Sequence, residues 1–206
     1  MINVMKKFLL PVPPAIVWVL LVAMTVPIVS CVLPQADRGT YLPQTKTRPE
    51  ISIMDLEKQI HALINRERRK HRLSPMEWDV GLAGIARKHS RDMAERRYFA
   101  HTSPEGHDFP FRYQQGGYAC SVPMGKVFSA GAENILQTTL YDSITTVNGR
   151  AHYNWSSLEK IAETALGIWL NSPDHRENIL APHWKRQGIG AAIAPDGKVY
   201  ITQNFC

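Results

Sequence analysis

Three side chains in this sequence stand where chemistry could be done: His101, Glu133 and His175. His175 belongs to the stretch Trp169-Leu-Asn-Ser-Pro-Asp-His-Arg-Glu-Asn-Ile-Leu180. There an apolar helix reads as ending near Trp169, with Ser172 as N-cap and Pro173 as first residue of a new helical turn. The partial positive charge of a helix N-terminus disfavours imidazolium and keeps such a histidine neutral, the form that accepts a proton or ligates a metal. A histidine beside a cap also serves as a plain hydrogen-bonding partner of backbone, and spacing alone leaves that reading open. His101 falls in Tyr98-Phe-Ala-His-Thr-Ser-Pro-Glu-Gly106, a proline- and glycine-bearing turn of the kind in which a rigid scaffold displays functional groups. Glu133 sits in Ala130-Gly-Ala-Glu-Asn-Ile-Leu136 among small and apolar neighbours. If buried, that carboxylate needs a partner, because an uncompensated charge is costly to bury; the alternative is an exposed turn residue. Ser103 is two residues from His101, and no Gly-x-Ser-x-Gly elbow is present to support a serine nucleophile.

The elements that must hold these groups are legible in part. Leu56, Ile60, Leu63 and Ile64 recur at helical spacing and predict an amphipathic helix ending near Lys70 or His71, with its arginines facing water. Ser74-Pro-Met-Glu77 has the form of a capping box and predicts a short turn. Asp79 is placed to cap a second helix from Val80 to about Arg97. His89 falls on the apolar face of that helix with Leu82, Ile85, Ala86 and Met93, which predicts a hydrogen-bonded core histidine, or else one supporting a site from behind. Ser156-Ser-Leu-Glu159 is a further capping box ahead of a core helix bearing Leu158, Ile161, Ala162, Ala165, Leu166, Ile168 and Trp169. Gly188–Ala194 and Val199–Phe205 read as two strands joined by Pro195-Asp-Gly-Lys198. Gly116-Gly117 and the stretch Pro123–Gly131 interrupt regular structure, and Asn148-Gly149 marks a turn.

The front of the chain carries an address. Lys6 and Lys7 precede an almost uncharged run from Phe8 to Val29, followed by Ile28-Val-Ser-Cys31. This is the arrangement of a signal peptide, and its last four residues resemble a bacterial lipobox, in which the cysteine is lipidated and becomes the mature N-terminus. Residues 1–31 are therefore expected to be a signal peptide with Cys31 as the lipidation site and a membrane anchor; an uncleaved span and plain secretion are the alternatives. Residues 32–53 are polar and proline-punctuated, a tether, and residues 54–206 suffice for a single folded domain. Removal of residues 1–31 takes away two lysines and no acid, so the formal charge falls from +6 to +4. The remaining basic residues are scattered, which argues against a nucleic-acid partner and is compatible with an anionic membrane surface or wall polymer. Of the three cysteines, Cys120 and Cys206 are left as a pair in an oxidising compartment, expected to form one disulfide, the alternative being two free thiols.

Four separated blocks together carry a family resemblance: Phe99-Ala-His-Thr-Ser-Pro-Glu-Gly106, Gly131-Ala-Glu-Asn-Ile135, Trp169 through Leu180, and Gly188-Ile-Gly190 with Tyr200-Ile-Thr-Gln-Asn-Phe205. In order and spacing they resemble a bacterial domain of the CAP superfamily of cysteine-rich secretory proteins, antigen 5 and pathogenesis-related proteins. The resemblance implies an α+β fold, an α-β-α sandwich with a small antiparallel sheet between helical layers. It also implies a cleft lined by two histidines and two acids, which in some relatives holds a divalent metal. His101 and His175 match the histidines and Glu133 matches the first acid. Where the second acid is expected, after Trp169, this chain has Leu170, Asn171 and Ser172. His101, Glu133 and His175 are thus the expected binding residues and the candidate ligands of a metal such as zinc. The missing acid and the lack of a nucleophile favour a non-catalytic cleft for a lipid, envelope component or protein partner over a metal-assisted hydrolase using the same residues.

Overall fold

The C-terminal hairpin, β7 (Arg186–Ile193) and β8 (Lys198–Phe205), forms the middle of a four-stranded sheet. In this computed structural model, which describes residues 47–206, β8 pairs antiparallel with both β7 and β4 (Ala132–Thr139), and β1 (Glu77–Trp78) adds to β7 in parallel, in the order β1-β7-β8-β4. Nearly every residue of β7 and β8 is buried, as expected for strands covered on both faces. One face is covered by α2 (Val80–Arg96), the other by α1 (Ile53–Lys70), α4 (Leu158–Asn171) and α5 (Pro173–Leu180). The result is the expected α-β-α sandwich. The α2 layer comes unusually close because Gly188 and Gly190 present no side chain to it: a Cβ at either position would stand 2.1 Å from Ala83 N or 2.0 Å from Arg87 N.

Asp79 caps α2 as expected, its Oδ1 accepting from Leu82 N, and Leu82, Ala86, His89 and Met93 are buried along one stripe. Three local readings are corrected. Ser74–Glu77 forms no turn; Glu77 and Trp78 pair with β7, and the Asn65 amide grips both backbone groups of Met76 and holds the chain extended. The cap of α4 is Ser157, not Ser156; its side chain accepts from Lys160 N, while Ser156 Oγ donates to Asp142. Nor do all the arginines of α1 face water. Arg68 is fully buried and donates to the carbonyls of Ser74, Ile179 and Ala181, since it continues the stripe Leu56, Ile60, Ile64 at intervals of four.

Ahead of α1, Ile51 packs on the core and Arg48 donates to the carbonyls of Ala194 and Pro195, so among the described residues part of the stretch read as tether packs on the domain. The sequence reading also left β4 without an assignment, together with one helix and two hairpins. The last three are α3 (Phe109–Gln115), capped by Asp108, a short hairpin of β2 (Val122–Met124) and β3 (Val127–Ser129), and a longer one of β5 (Tyr141–Val147) and β6 (Arg150–Trp155). The Asn148-Gly149 turn closes the longer hairpin, both residues having positive φ as a two-residue type I′ connection requires.

Cys120 and Cys206 are joined in a disulfide across a sequence separation of 86, as expected. Closing a loop of that length removes on the order of 4 to 5 kcal/mol of unfolded-state entropy. Cys120→Ser with Cys206→Ser is expected to lower the unfolding free energy by about 4 kcal/mol. Urea unfolding of both proteins under non-reducing conditions measures it, and a loss under about 1 kcal/mol would mean that the reduced chain keeps the loop closed by itself.

Candidate functional site

Glu133 lies on β4, the edge strand whose outer side is left free by the sheet order. Its side chain is wholly buried, yet neither oxygen is orphaned. Oε2 accepts from Arg112 Nη2 at 2.6 Å and Oε1 lies 2.9 Å from His101 Nδ1. Arg112, on α3, also donates to the carbonyls of His101 and His107 at 2.9 and 2.8 Å, so one guanidinium ties the carboxylate to the turn displaying the histidine. With Nδ1 directed at a carboxylate, the neutral His101 ring carries its proton there and leaves Nε2 as an acceptor. The ring is about half exposed, 51% of its side-chain surface being open.

His175 approaches from the other side of the β4 edge. It occupies the third position of α5, behind Ser172 as N-cap and Pro173 as first residue, although Ser172 makes no side-chain capping bond. Burial holds its pKa below the ordinary histidine value, the nearby His101 adds to the lowering, and Asp174 opposes it. Its Nδ1 is buried without a hydrogen-bond partner among the described residues, and its backbone carbonyl accepts from Asn134 Nδ2 at 3.1 Å. The three expected residues therefore belong to one region, with His101 and Glu133 in direct contact and His175 within electrostatic reach of His101. His89 is a buried core histidine whose Nε2 lies 3.1 Å from the Ala100 carbonyl, just before the His101 turn. Ser103 turns away and donates to Glu105.

Sequence reasoning missed Arg112 and Asn134. A buried carboxylate calls for a cation, but nothing local singles out Arg112 from the other arginines. Asn134 was visible only as the neighbour of Glu133, and strand alternation turns the two side chains to opposite faces of β4.

The donor set does not suit a three-ligand metal centre as arranged. Both oxygens of Glu133 are engaged, one by a cation, and among the described residues no group of three or more His, Cys, Asp or Glu side chains is close enough to share an ion. A groove of about 710 Å³ lies elsewhere, between the start of α1, the second half of α2 and the end of β7. Ile53, Met54, Ala94 and Ile193 give it apolar walls, and Arg91 and Arg97 stand on its rim with Glu95.

His61, His89, His175 and His183 all have pKa values lowered from the ordinary 6.5, burial being the first cause in each. Each binds its proton more readily when unfolded, so their contribution to stability is complete above about pH 6.5 and is lost as pH falls through the lowered folded values. The melting temperature is expected to drop between about pH 7 and pH 5, and His89→Gln to flatten that slope. A slope unchanged by His89→Gln would remove His89 from the account.

The sequence model of the Cysteine-rich secretory protein family, CAP, matches residues 61–205. The chain belongs to the CAP family. Two Bacillus subtilis (strain 168) proteins are similar to this CAP chain: uncharacterized protein YkwD, 30% identical over 78% of the chain, and uncharacterized membrane protein YlbC, 32% identical over 72% of it. The chain spans about half of the first and about a third of the second, the matches covering 51% and 34% of their lengths. Among solved structures, an extracellular protein containing a SCP domain from Bacillus anthracis superposes with a TM-score of 0.53 at 29% identity, covering 74% of this chain and 40% of that one. An outer surface protein from Borrelia burgdorferi superposes with a TM-score of 0.54 at 18% identity over 76% of this CAP chain and 96% of its own, a likeness of fold alone. These relatives suggest an exported protein. Among the described residues no helix is long and apolar enough to cross a membrane, and Cys31 lies outside the described residues.

Proposed function

We propose that this CAP protein is exported, held at the membrane through Cys31, and works as a non-catalytic binding protein whose ligand is an envelope component engaged at the His101–His175 surface. The observation that carries the reading is the burial of Glu133 between Arg112 and His101: a wholly buried carboxylate with a partner on each oxygen acts as a structural support, shielded from the water a general base would activate. What remains outward is the half-exposed His101 ring, offering an acceptor nitrogen to hydroxyl or amide donors, with the neutral His175 beside it. Co-sedimentation of the full chain with purified cell-wall sacculi tests this. His101→Ala and His175→Ala are expected to stay folded and lose at least about tenfold in affinity, some 1.4 kcal/mol. Equal binding by wild type and both variants sinks the reading, and turnover of a peptide or ester substrate that both variants lose would restore the hydrolase alternative.

A lipid ligand is favoured by a separate observation, the groove with apolar walls and the Arg91 and Arg97 rim, which suits an acyl chain with an anionic head. Binding of a spin-labelled fatty acid that Met54→Asp, at an exposed residue of the groove, weakens and His175→Ala leaves intact would support that ligand; the opposite pattern would exclude the groove. Attachment through Cys31 is tested by the intact mass of membrane-fraction protein, which an unmodified Cys31 would contradict.

A further inference from the structure

α5 is a weakly built helix. It has eight residues, no side-chain cap at Ser172 and a single buried residue, Ile179, so neither capping nor apolar burial accounts for its fixed place under the site. Polar contacts hold it. At its end, the buried Arg68 donates to the carbonyls of Ile179 and Ala181. Nearer its start, Asn134 Nδ2 donates to the carbonyl of His175, and Asn178 Nδ2 donates to Asn134 Oδ1 at 2.9 Å.

The Asn134 amide is not the end of the network. Its Nδ2 also donates to Gln203 Oε1 at 3.2 Å, Gln203 Nε2 donates to Gln187 Oε1 at 2.7 Å, and Gln187 Nε2 stands 3.0 Å from His61 Nδ1. The chain thus crosses the sheet from α5 through β4, β8 and β7 to α1, and Asn134, Gln203 and Gln187 are fully buried. Its direction is dictated at the α5 end. The His175 carbonyl can only accept, so Asn134 must present its NH2 there, and each following amide is turned the same way. Gln187 therefore presents an NH2 to His61, and the chain closes only if His61 Nδ1 is an unprotonated acceptor.

The surroundings of His61 fit that demand. Burial first, and the charge of Lys58 after it, disfavour a second ring proton; Trp78 of β1 meets the ring edge-on at 5.4 Å. The other nitrogen, Nε2, lies 3.2 Å from Asn65 Nδ2, whose amide is locked by Met76. Both ring nitrogens are faced by amide NH2 groups, while a neutral imidazole has one acceptor to give. The shorter contact, to the buried Gln187, has first claim; Asn65 already donates to Met76 and loses less.

We infer that His61, on the same face of the sheet but beyond the strands that separate it from α5, is a positioning residue for His175: its Nδ1 lone pair terminates a one-way chain of four amides, Asn178, Asn134, Gln203 and Gln187, that holds α5 in place. The inference rests on His175 being part of the functional site only for its biological meaning; the chain itself is tested without any ligand.

Long-range proton–nitrogen NMR of the full chain reads the tautomer directly. The expected result is His61 protonated on Nε2 and bare on Nδ1; the opposite tautomer overturns the inference before any variant is made. Hydrogen exchange then follows the amides of α5 in His61→Phe, which keeps the ring's bulk but no acceptor, and in His61→Asn, whose Oδ1 can stand near the lost Nδ1. His61→Phe is expected to speed α5 exchange by about tenfold while α2, on the opposite face, keeps its wild-type rates, and His61→Asn is expected to restore α5. Unchanged α5 exchange in His61→Phe, acceleration shared equally by α2, or no recovery in His61→Asn would each overturn it. Failure of sacculus binding with the correct tautomer and local exchange would instead condemn only the proposed function.

Discussion

Gly190→Ala is expected to be the most damaging single methyl that can be added to this protein. A Cβ at position 190 would fall 2.0 Å from Arg87 N and 2.3 Å from Ala86 C, and at position 188 it would fall 2.1 Å from Ala83 N. These are backbone atoms of α2, so no rotamer change relieves the overlap and the helix must move off the sheet. Overpacking usually costs 1 to 3 kcal/mol where side chains can give way; with backbone as the obstacle, roughly 3 to 5 kcal/mol is expected. For a domain of this size that corresponds to a melting temperature lower by about 10 °C. Moving α2 also displaces the Ser90 hydroxyl from the Gly190 carbonyl and from Thr202, and shifts the helix on which His89 holds the Ala100 carbonyl. Thermal unfolding of Gly190→Ala beside Gly84→Ala supplies the control, since a Cβ at Gly84 meets nothing within 4 Å. Two variants of equal stability would show that the α2 layer slides freely over the sheet.

Glu133→Gln carries the second large effect, and here the loss arises in what is left behind. The substitution keeps the size of the side chain and removes the negative charge that faces Arg112, whose side chain is only 13% exposed. Breaking a buried ion pair from one side costs about 3 to 5 kcal/mol, because the remaining charge stays desolvated without its counterpart. Arg112 retains the carbonyls of His101 and His107 as partial compensation, which puts the expectation near the lower bound, about 3 kcal/mol. Removing both charges together is expected to be milder: Glu133→Gln with Arg112→Met should recover a kcal/mol or more relative to Glu133→Gln alone. A double variant whose loss equals the sum of the two single losses would contradict the pairing. Both variants are also expected to loosen the His101 turn, visible as broadened His101 ring signals.

Residues of the site were legible to different degrees for identifiable reasons. His101, Glu133 and His175 lie in blocks that resemble a family, and their types alone mark them. Their mutual arrangement was not legible, because the partner that decides the chemistry of Glu133 is Arg112, on a seven-residue helix that no apolar periodicity announces. Without Arg112, Glu133 reads as a metal ligand or a base; with it, the carboxylate is a fixed support for His101. Arg68 makes the same point for the fold. In a run of four basic residues out of five it looks solvated, and only its place in the stripe of Leu56, Ile60 and Ile64 hints otherwise.

What the amino-acid order determined without help is local. The helical period placed α2 and α4 and the end of α1 within a residue or two, Asp79 and Pro173 marked helix starts, and Pro195-Asp-Gly-Lys198 and Asn148-Gly149 set the turns of two hairpins. With Cys31 read as a lipidation site, Cys120 and Cys206 were the pair expected to form a disulfide, two free thiols being the alternative, and the folded chain joins them. What the tertiary structure alone decided is which polar groups face one another across the sheet: Arg112 with Glu133, Arg68 with the end of α5, and the one-way amide chain from Asn178 to His61. The reason is physical. Periodicity, capping and turn formation depend on neighbours a few residues apart. The partner of a buried charge or amide depends on the strand order and layering that bring distant segments together, and many pairings satisfy the same composition until the sheet selects one.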